Sequence, residues 1–141
     1  TGRNVAVIWT KMAGTAAAVG RYSEAVQWYR KSLQLTNERG YGLLNNLAFC
    51  LIRSSGVAAA EEAFALVQEG LQQAPDHPAL LATRGEILLR QGLVVRARAD
   101  LERALDLNPG GVDVQTLLRE IYEREGDQQG LERLQGLQVQ P

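Results

Sequence analysis

The stretch GRYSEA, residues 20–25, separates two runs in which apolar residues recur every three or four positions. This spacing is the period of an α-helix, and a glycine between two such runs indicates a turn. The feature repeats along the chain: Gly92 and Gly126 are 34 residues apart, and so are Pro75 and Pro109. The sequence therefore predicts a helix–turn–helix unit that recurs at a regular interval.

The helical spacing continues through the rest of the chain. Its four prolines, at positions 75, 78, 109 and 141, fall outside the apolar runs. No segment alternates apolar and polar residues in the way that a half-buried strand does. We therefore predict an all-α fold with about eight helices. They span residues 5–19, 23–36, 41–53, 58–74, 78–91, 94–107, 112–125 and 128–137.

A helix–turn–helix period of 34 residues is typical of the tetratricopeptide repeat, and the marked positions of that family's pattern agree with this sequence. The matching residues are Trp9, Met12, Ala13, Ala25 and Tyr29 in the first unit, and Leu81, Gly85, Ala97, Leu101 and Pro109 in the third. The chain thus resembles a single tetratricopeptide-repeat array over nearly its whole length. Its predicted repeats are residues 5–39, 40–76 with a longer turn between its helices, 77–110, and 111–138 as a degenerate repeat that caps the array.

The resemblance implies antiparallel helix pairs stacked as a right-handed α-solenoid, the superhelix of this family, with the first helix of each pair lining a concave groove. Each pair buries its apolar faces only by stacking on its neighbours. Small residues are expected where two helices cross closely. They are Ala13, Ala48 and Gly85 in the first helices, and Ala25, Ala63 and Ala97 in the second helices.

Composition argues against several classes of function. A net charge of −1, from 15 basic and 16 acidic residues, does not favour nucleic-acid binding, which usually requires a basic face. With one cysteine, Cys50, and one histidine, His77, a zinc site of the usual type cannot be assembled. No catalytic motif and no apolar run of about 20 residues is present. We therefore expect no enzyme activity, no cofactor, no metal site and no membrane span in this chain.

The resemblance places the binding residues on the concave face. Asn46 occupies a position where many family members use asparagine to hold a peptide backbone, and Phe49 is suited to an apolar side chain. Arginines recur at equivalent positions and could meet a carboxylate. They could equally pair with Glu86, Glu120 and Glu123 on neighbouring turns. The predicted groove residues are Asn45, Asn46, Phe49, Arg53, Glu86, Arg90 and Arg124.

The predicted function is a non-enzymatic scaffold or adaptor that binds a protein or peptide segment in this groove. The chaperone-tail clamp of some family members is not favoured. It uses Lys and Asn in the first repeat, Asn in the second, and Lys and Arg in the third, and of these positions, here Thr10, Gly14, Asn46, Ala79 and Thr83, only Asn46 is kept. One alternative is self-association, as a homo-oligomer, through helix 5–19, whose apolar residues lie on nearly every side. Another is an accessory domain of a larger enzyme or secretion complex. A cytoplasmic location is expected, with the periplasm or cell envelope as the alternative if an upstream signal is missing.

Overall fold

The computed structural model describes residues 1–139, and these residues form eight α-helices and no strand. The prediction of an all-α fold is confirmed. The helices are α1 (Gly2–Ala18), α2 (Tyr22–Thr36), α3 (Tyr41–Ser55), α4 (Ala60–Gln73), α5 (Pro78–Arg90), α6 (Val94–Leu107), α7 (Val112–Glu125) and α8 (Gln128–Val139).

Consecutive helices pack as antiparallel pairs, α1 with α2, α3 with α4, α5 with α6 and α7 with α8. The chain divides into two compact units, of which the first ends at Pro75 and the second begins at Asp76. In the first unit α3 also packs on α2, and in the second unit α7 also packs on α6. Each predicted repeat contains one of these pairs, while the repeat boundaries themselves stay a prediction.

Three pairs share the turn that GRYSEA introduces. Gly20, Gly92 and Gly126 have φ angles of +79°, +81° and +67°, a backbone conformation that glycine adopts without the steric penalty of a Cβ. The residue after each glycine donates its backbone N–H to a carbonyl in the last turn of the helix, which satisfies an otherwise unpaired acceptor. These bonds are Arg21 to Ala16 (2.8 Å), Leu93 to Leu88 (2.9 Å) and Asp127 to Tyr122 (2.9 Å).

The link between α3 and α4 is different. Gly56 again has a positive φ, of 57°, but its ψ of −135° directs the chain into a short 3-10 turn over Gly56–Ala59. Helix α3 therefore continues to Ser55 rather than ending at the predicted residue 53, and α4 begins at Ala60 rather than at 58. The longer turn expected in the second repeat, residues 40–76, is this 3-10 segment.

The core is built from small residues where the helices cross and from large aliphatic residues between the crossings. All of the alanines predicted at crossings are fully buried: Ala13, Ala25, Ala48, Ala63 and Ala97. Leu44 and Leu101 are also fully buried, and each contributes roughly 1.5–3 kcal/mol by leaving water. Cys50 belongs to this core, and burial raises the pKa of its thiol to about 11. Such a thiol is inert at neutral pH.

One stretch, Tyr41–Gln73, is long and apolar enough to cross a membrane as judged by length and composition alone, with a mean hydropathy of 1.3 over its best 18 residues. In this fold it comprises α3, the 3-10 turn and α4, and the two helices pack against each other. Because 44% of that window is buried, its apolar residues serve the core of the first unit. The absence of a membrane span stays a prediction.

In the second unit, Arg98 holds three segments together. Its guanidinium donates to Glu102 on its own helix (2.8 Å), to Glu125 at the end of α7, and to Asp127 before α8 (2.7 Å). It also lies 4.9 Å from the ring of Tyr122, whose hydroxyl donates to Glu102. Charge-assisted bonds of this kind are stronger than neutral ones, so the cluster fixes α7 and the start of α8 against α6.

Gly85 tests the importance of close helix crossing. A Cβ built on Gly85 would lie 2.7 Å and 2.8 Å from side-chain atoms of Leu101 on α6, so Gly85→Ala must displace the buried Leu101 side chain or separate α5 from α6. We expect a loss of about 1–3 kcal/mol in the free energy of unfolding, as in other overpacked cores, measured by urea denaturation. Gly136→Ala is the matched control, because nothing lies within 4 Å of its Cβ position. Replacing this helical glycine by alanine should raise the free energy of unfolding by about 0.5–1 kcal/mol. Equal destabilisation by both substitutions would contradict the close-crossing argument.

Asp127 should make stability depend on acid pH. The backbone N–H of Gly130 and the Arg98 guanidinium both donate to its carboxylate, and they hold its pKa below the ordinary value of 3.8. A carboxyl whose pKa is lowered on folding stabilises above its unfolded pKa, and that contribution is lost as pH falls through the folded pKa. We therefore expect Asp127→Asn to flatten the fall in unfolding free energy between about pH 5 and pH 2. Glu132→Gln, which removes an exposed carboxylate of α8, is the control, and identical pH profiles for all three proteins would refute the assignment.

Candidate peptide-binding surface

In the first unit, one face of α3 presents Asn46, Phe49 and Arg53, which are three and four residues apart and so lie side by side along the helix. Asn46 and Arg53 are exposed, and Phe49 is half-buried. The Arg53 guanidinium carbon lies 4.8 Å from the centre of the Phe49 ring, within the range of a cation–π contact. The structure therefore brings these three predicted residues together as one patch, which we call the α3 patch.

Two tyrosines of α2 support the α3 patch. The Tyr22 ring meets the Phe49 ring edge to face, with centroids 6.0 Å apart and an interplanar angle of 79°. Tyr29 is buried, and burial raises the pKa of its hydroxyl, while a hydrogen bond with the side chain of Asn46 acts in the opposite direction. Because Phe49 and Asn46 are each held by a tyrosine, the patch is positioned before any ligand arrives.

Helix α1 approaches the same hydroxyl at Gly14, where a Cβ would lie 3.9 Å from the Tyr29 oxygen. Thr10, one turn earlier, directs its hydroxyl to Ser32 on α2 at 2.9 Å. This hydrogen bond links α1 to α2. The part of α1 beside the α3 patch therefore offers small side chains and backbone rather than charged groups.

Asn45 and Asn46 are adjacent in sequence but have different surroundings. The side chain of Asn46 is exposed, whereas the Oδ1 atom of Asn45 is buried and has no hydrogen-bond partner among the described residues. An unmade hydrogen bond at a buried acceptor costs about 1–3 kcal/mol. The sequence placed both asparagines in the groove. The structure places Asn46 in the α3 patch, and Asn45 lies about 100° further around the helix.

The second unit contains the remaining predicted residues. Glu86 is only 6% exposed, and its Oε1 lies 3.9 Å from the Nη2 atom of Arg90, a separation longer than a hydrogen bond. Arg90 is exposed in the last turn of α5, and Arg124 is exposed in the last turn of α7. The pairing of Arg90 with Glu86, one of the two alternatives raised by the sequence, is thus present as a loose ion pair.

The recurrence of the arginines also has a structural explanation. Arg53 lies in the last turn of α3, as the other two arginines do in α5 and α7. A cation at that end of a helix stabilises it by typically 0.3–1 kcal/mol through the helix dipole. The column of arginines inferred from sequence spacing is therefore accounted for in part by helix ends.

Sequence reasoning missed the part played by the tyrosines. Tyr22 lies inside GRYSEA, which was interpreted only as the separator of two helical runs, and Tyr29 was interpreted only as a match to the family's pattern. An aromatic residue directly after the turn glycine was the available signal for Tyr22, because that position begins the helix facing α3. Of the residues 1–139, no group of three or more His, Cys, Asp or Glu side chains is arranged to hold a metal ion.

Residues 58–121 match a family model described as tetratricopeptide repeat. Several solved structures resemble the chain, and two of them are tetratricopeptide-repeat domains with bound peptides. The first repeat domain of Spaghetti (RPAP3), bound to the HSP90 peptide SRMEEVD, is 20% identical with a TM-score of 0.71, over 89% of this chain and 96% of that one. The second such domain of human RPAP3, in complex with the HSP70 peptide SGPTIEEVD, is 21% identical with a TM-score of 0.68, over 86% and 98%.

MamA (residues 41 to the end) from Desulfovibrio magneticus RS-1 is 16% identical with a TM-score of 0.78, over 96% of this chain and 77% of that one. A comparison with curated protein sequences gives no match. The matched segment lies within the helix pairs described above, and the structural similarity extends over most of the chain. The resemblance seen in the sequence is confirmed: residues 58–121 match the tetratricopeptide-repeat model, and the chain has the helix-pair solenoid fold of solved tetratricopeptide-repeat domains.

Proposed function

We propose that the protein is a non-enzymatic interaction scaffold that binds an extended peptide or protein segment at the α3 patch. The observation that carries the proposal is the stack of Arg53 on Phe49, with Tyr22 behind the ring. An exposed cation held over an aromatic ring, beside an exposed amide, has no evident role in the core. Two of the structurally similar domains hold peptides, which supports this class of function.

Each side chain of the α3 patch suits one part of a peptide. The Asn46 amide can donate and accept at once, so it can engage a backbone amide while keeping its contact with Tyr29. The ring of Phe49 offers an apolar surface to one side chain. Arg53 presents a planar set of donors that matches a carboxylate. The favoured ligand is thus a segment with an apolar residue one turn from a carboxylate.

The second unit contributes a separate proposed surface. Arg90 and Arg124 are exposed, whereas Glu86 is buried, and we assign Glu86 the role of orienting Arg90 rather than of touching the ligand. A carboxylate-bearing segment is again the ligand that two exposed arginines favour.

The acidic chaperone tails of the two peptide complexes are not the proposed ligand. Where the family's clamp for such tails has basic side chains, this chain has Thr10, Ala79 and Thr83, and Gly14 replaces one of the clamp's asparagines. The hydroxyl of Thr10 is bonded to Ser32, and that of Thr83 to the carbonyl of Ala79 at 2.9 Å. The ligand therefore differs from those tails. The scaffold's location, and its membership of a larger enzyme or secretion complex, stay predictions.

A peptide selection tests the proposal. Random 12-residue peptides displayed on phage would be selected on the protein, and the affinity of the winning peptides measured by calorimetry. We expect peptides with a carboxylate near an apolar residue. We also expect Arg53→Glu to weaken them by about tenfold or more, because reversing the charge removes a charge-assisted bond worth about 1.5–3 kcal/mol.

The matched control is Arg103→Glu, the same change at an exposed arginine of the second unit that pairs only with Asp76 among the described residues. Circular dichroism and thermal unfolding show whether both variants keep the fold. Peptides that bind the native chain and the Arg53→Glu variant equally would refute the α3 patch as the site.

A further inference from the structure

The face of the first helix pair that points away from α3 is apolar and exposed. On α1, Val5, Ile8 and Met12 follow one another at helical spacing, with Ile8 56% and Met12 42% exposed. Beside them Trp9 of α1 and Trp28 of α2 meet, with ring centroids 6.3 Å apart. We call this surface, made of Ile8, Met12 and the two tryptophans, the tryptophan face.

Two hollows flank the indole pair. One, of about 370 Å³, is lined by residues of both helices that include Ile8, Met12 and Trp28, and Lys11 and Glu24 stand at its edge. The other, of about 350 Å³, is lined by Trp9, Lys31, Gln34 and Leu35. The tryptophan face is therefore concave between the helices, and it can accept side chains from a partner.

The next helix pair has an equivalent hollow, also of about 370 Å³, and there α2 forms one wall of it. By the repeat, Ala13 corresponds to Ala48 and Ala25 to Ala63, so Met12 corresponds to Leu47 and Trp28 to Leu66. Leu47 is 2% exposed, against 42% for Met12. The segment that covers Leu47 is α2, which contributes Arg30, Leu33 and Gln34 to that hollow. A face of this shape is thus covered, within this same unit, by an amphipathic helix.

The charged residues beside the two equivalent hollows indicate which charge a helix that packs on the tryptophan face must carry. Beside the hollow of the second pair, Glu69 of α4 receives two bonds of 2.7 Å from Arg39, which follows α2. The residue equivalent to Glu69 in the first pair is Lys31. The sign is reversed at Lys31, so the covering segment must bring a carboxylate to the place that the Arg39 guanidinium occupies in the second pair. Glu24, which is equivalent to Glu62, keeps its sign.

The two lysines differ from four of the five arginines of the first unit, because those four each have a glutamate partner. The four are arginines 3, 21, 30 and 39. Lys31 lies over the Trp28 ring at 4.7 Å, and neither it nor Lys11 has an acidic partner in the described part of the chain. These two are the only lysines in the sequence, and both border the tryptophan face.

We propose that the tryptophan face binds an amphipathic helix of a partner protein whose apolar side chains enter the two hollows and whose carboxylates meet Lys31 and Lys11. This site is separate from the α3 patch. A membrane surface fits less well, because surfaces that recognise anionic lipid gather about four to eight basic residues, and here there are two beside Glu24.

The chain carries its own reporter, since its two tryptophans both lie in the site. The probes are two synthetic helices with leucines at positions i, i+3, i+4 and i+7. One has glutamate on its remaining face, the other has arginine, and both lack tryptophan and tyrosine. We expect the acidic helix to cause a saturable blue shift of tryptophan emission and the basic helix to bind at least about fivefold more weakly.

Substitution of Lys31 by glutamate gives the sharpest test, because it copies the charge found at Glu69. Lys31→Glu should reverse the preference, so that the basic helix binds more tightly than the acidic one. If Lys31 had a purely structural role, its substitution would not change which of the two helices binds more tightly. The control is Arg103→Glu, the same charge change in the second unit, and it should leave the preference for the acidic helix intact.

Several results would overturn the proposal. They are equal binding of the two helices, no spectral change with either, or an unchanged preference in Lys31→Glu. A shift caused by vesicles of anionic phospholipid but not by the acidic helix would assign the surface to membranes. A mass that doubles with concentration in light scattering, together with loss of helix binding, would assign it to a second copy of the chain.

Discussion

The close crossing of helices within each pair is the constraint on which the rest of the structure depends. At Gly85 the neighbouring helix is so near that a single methyl group would overlap Leu101, and a Cβ on Gly130 would lie 2.7 Å from the Tyr122 ring. Only at that separation can the large residues between crossings reach the opposite helix. The small residues therefore set the distance at which every other contact in a pair is made.

The sequence predicted the helix class and the order of the elements because both depend on local rules. Apolar spacing identifies a helix, and glycine with a positive φ identifies the turn, as at Gly92 and Gly126. The link after α3 was placed less well, because the 3-10 turn over Gly56–Ala59 has no comparable signal. The spacing of 34 residues is found between positions 75 and 126. Most of that stretch lies within the family match at 58–121.

The candidate site was predicted less completely than the fold. The family resemblance placed Asn46, Phe49 and Arg53 on one face, and they lie side by side on α3. It could not show that Glu86 is buried or that the Asn45 carbonyl is enclosed, since both depend on how neighbouring helices approach. The supporting role of Tyr22 also depends on packing between pairs. Local periodicity reports which side chains share a face, and tertiary packing decides which of them a ligand can reach.

The equivalence of the hollows on the first and second helix pairs has a consequence for how such a chain can change in length. In the second pair, the surface that contains Leu47 packs against α2, and in the first pair the equivalent surface, which contains Met12, faces solvent. A further helix pair could therefore be joined ahead of α1 without altering any buried residue of α2–α8. The added pair would have to change the charge at one position only. It would need a carboxylate opposite Lys31, where the existing junction has Arg39 opposite Glu69. Growth by whole helix pairs is thus compatible with a core that stays unchanged.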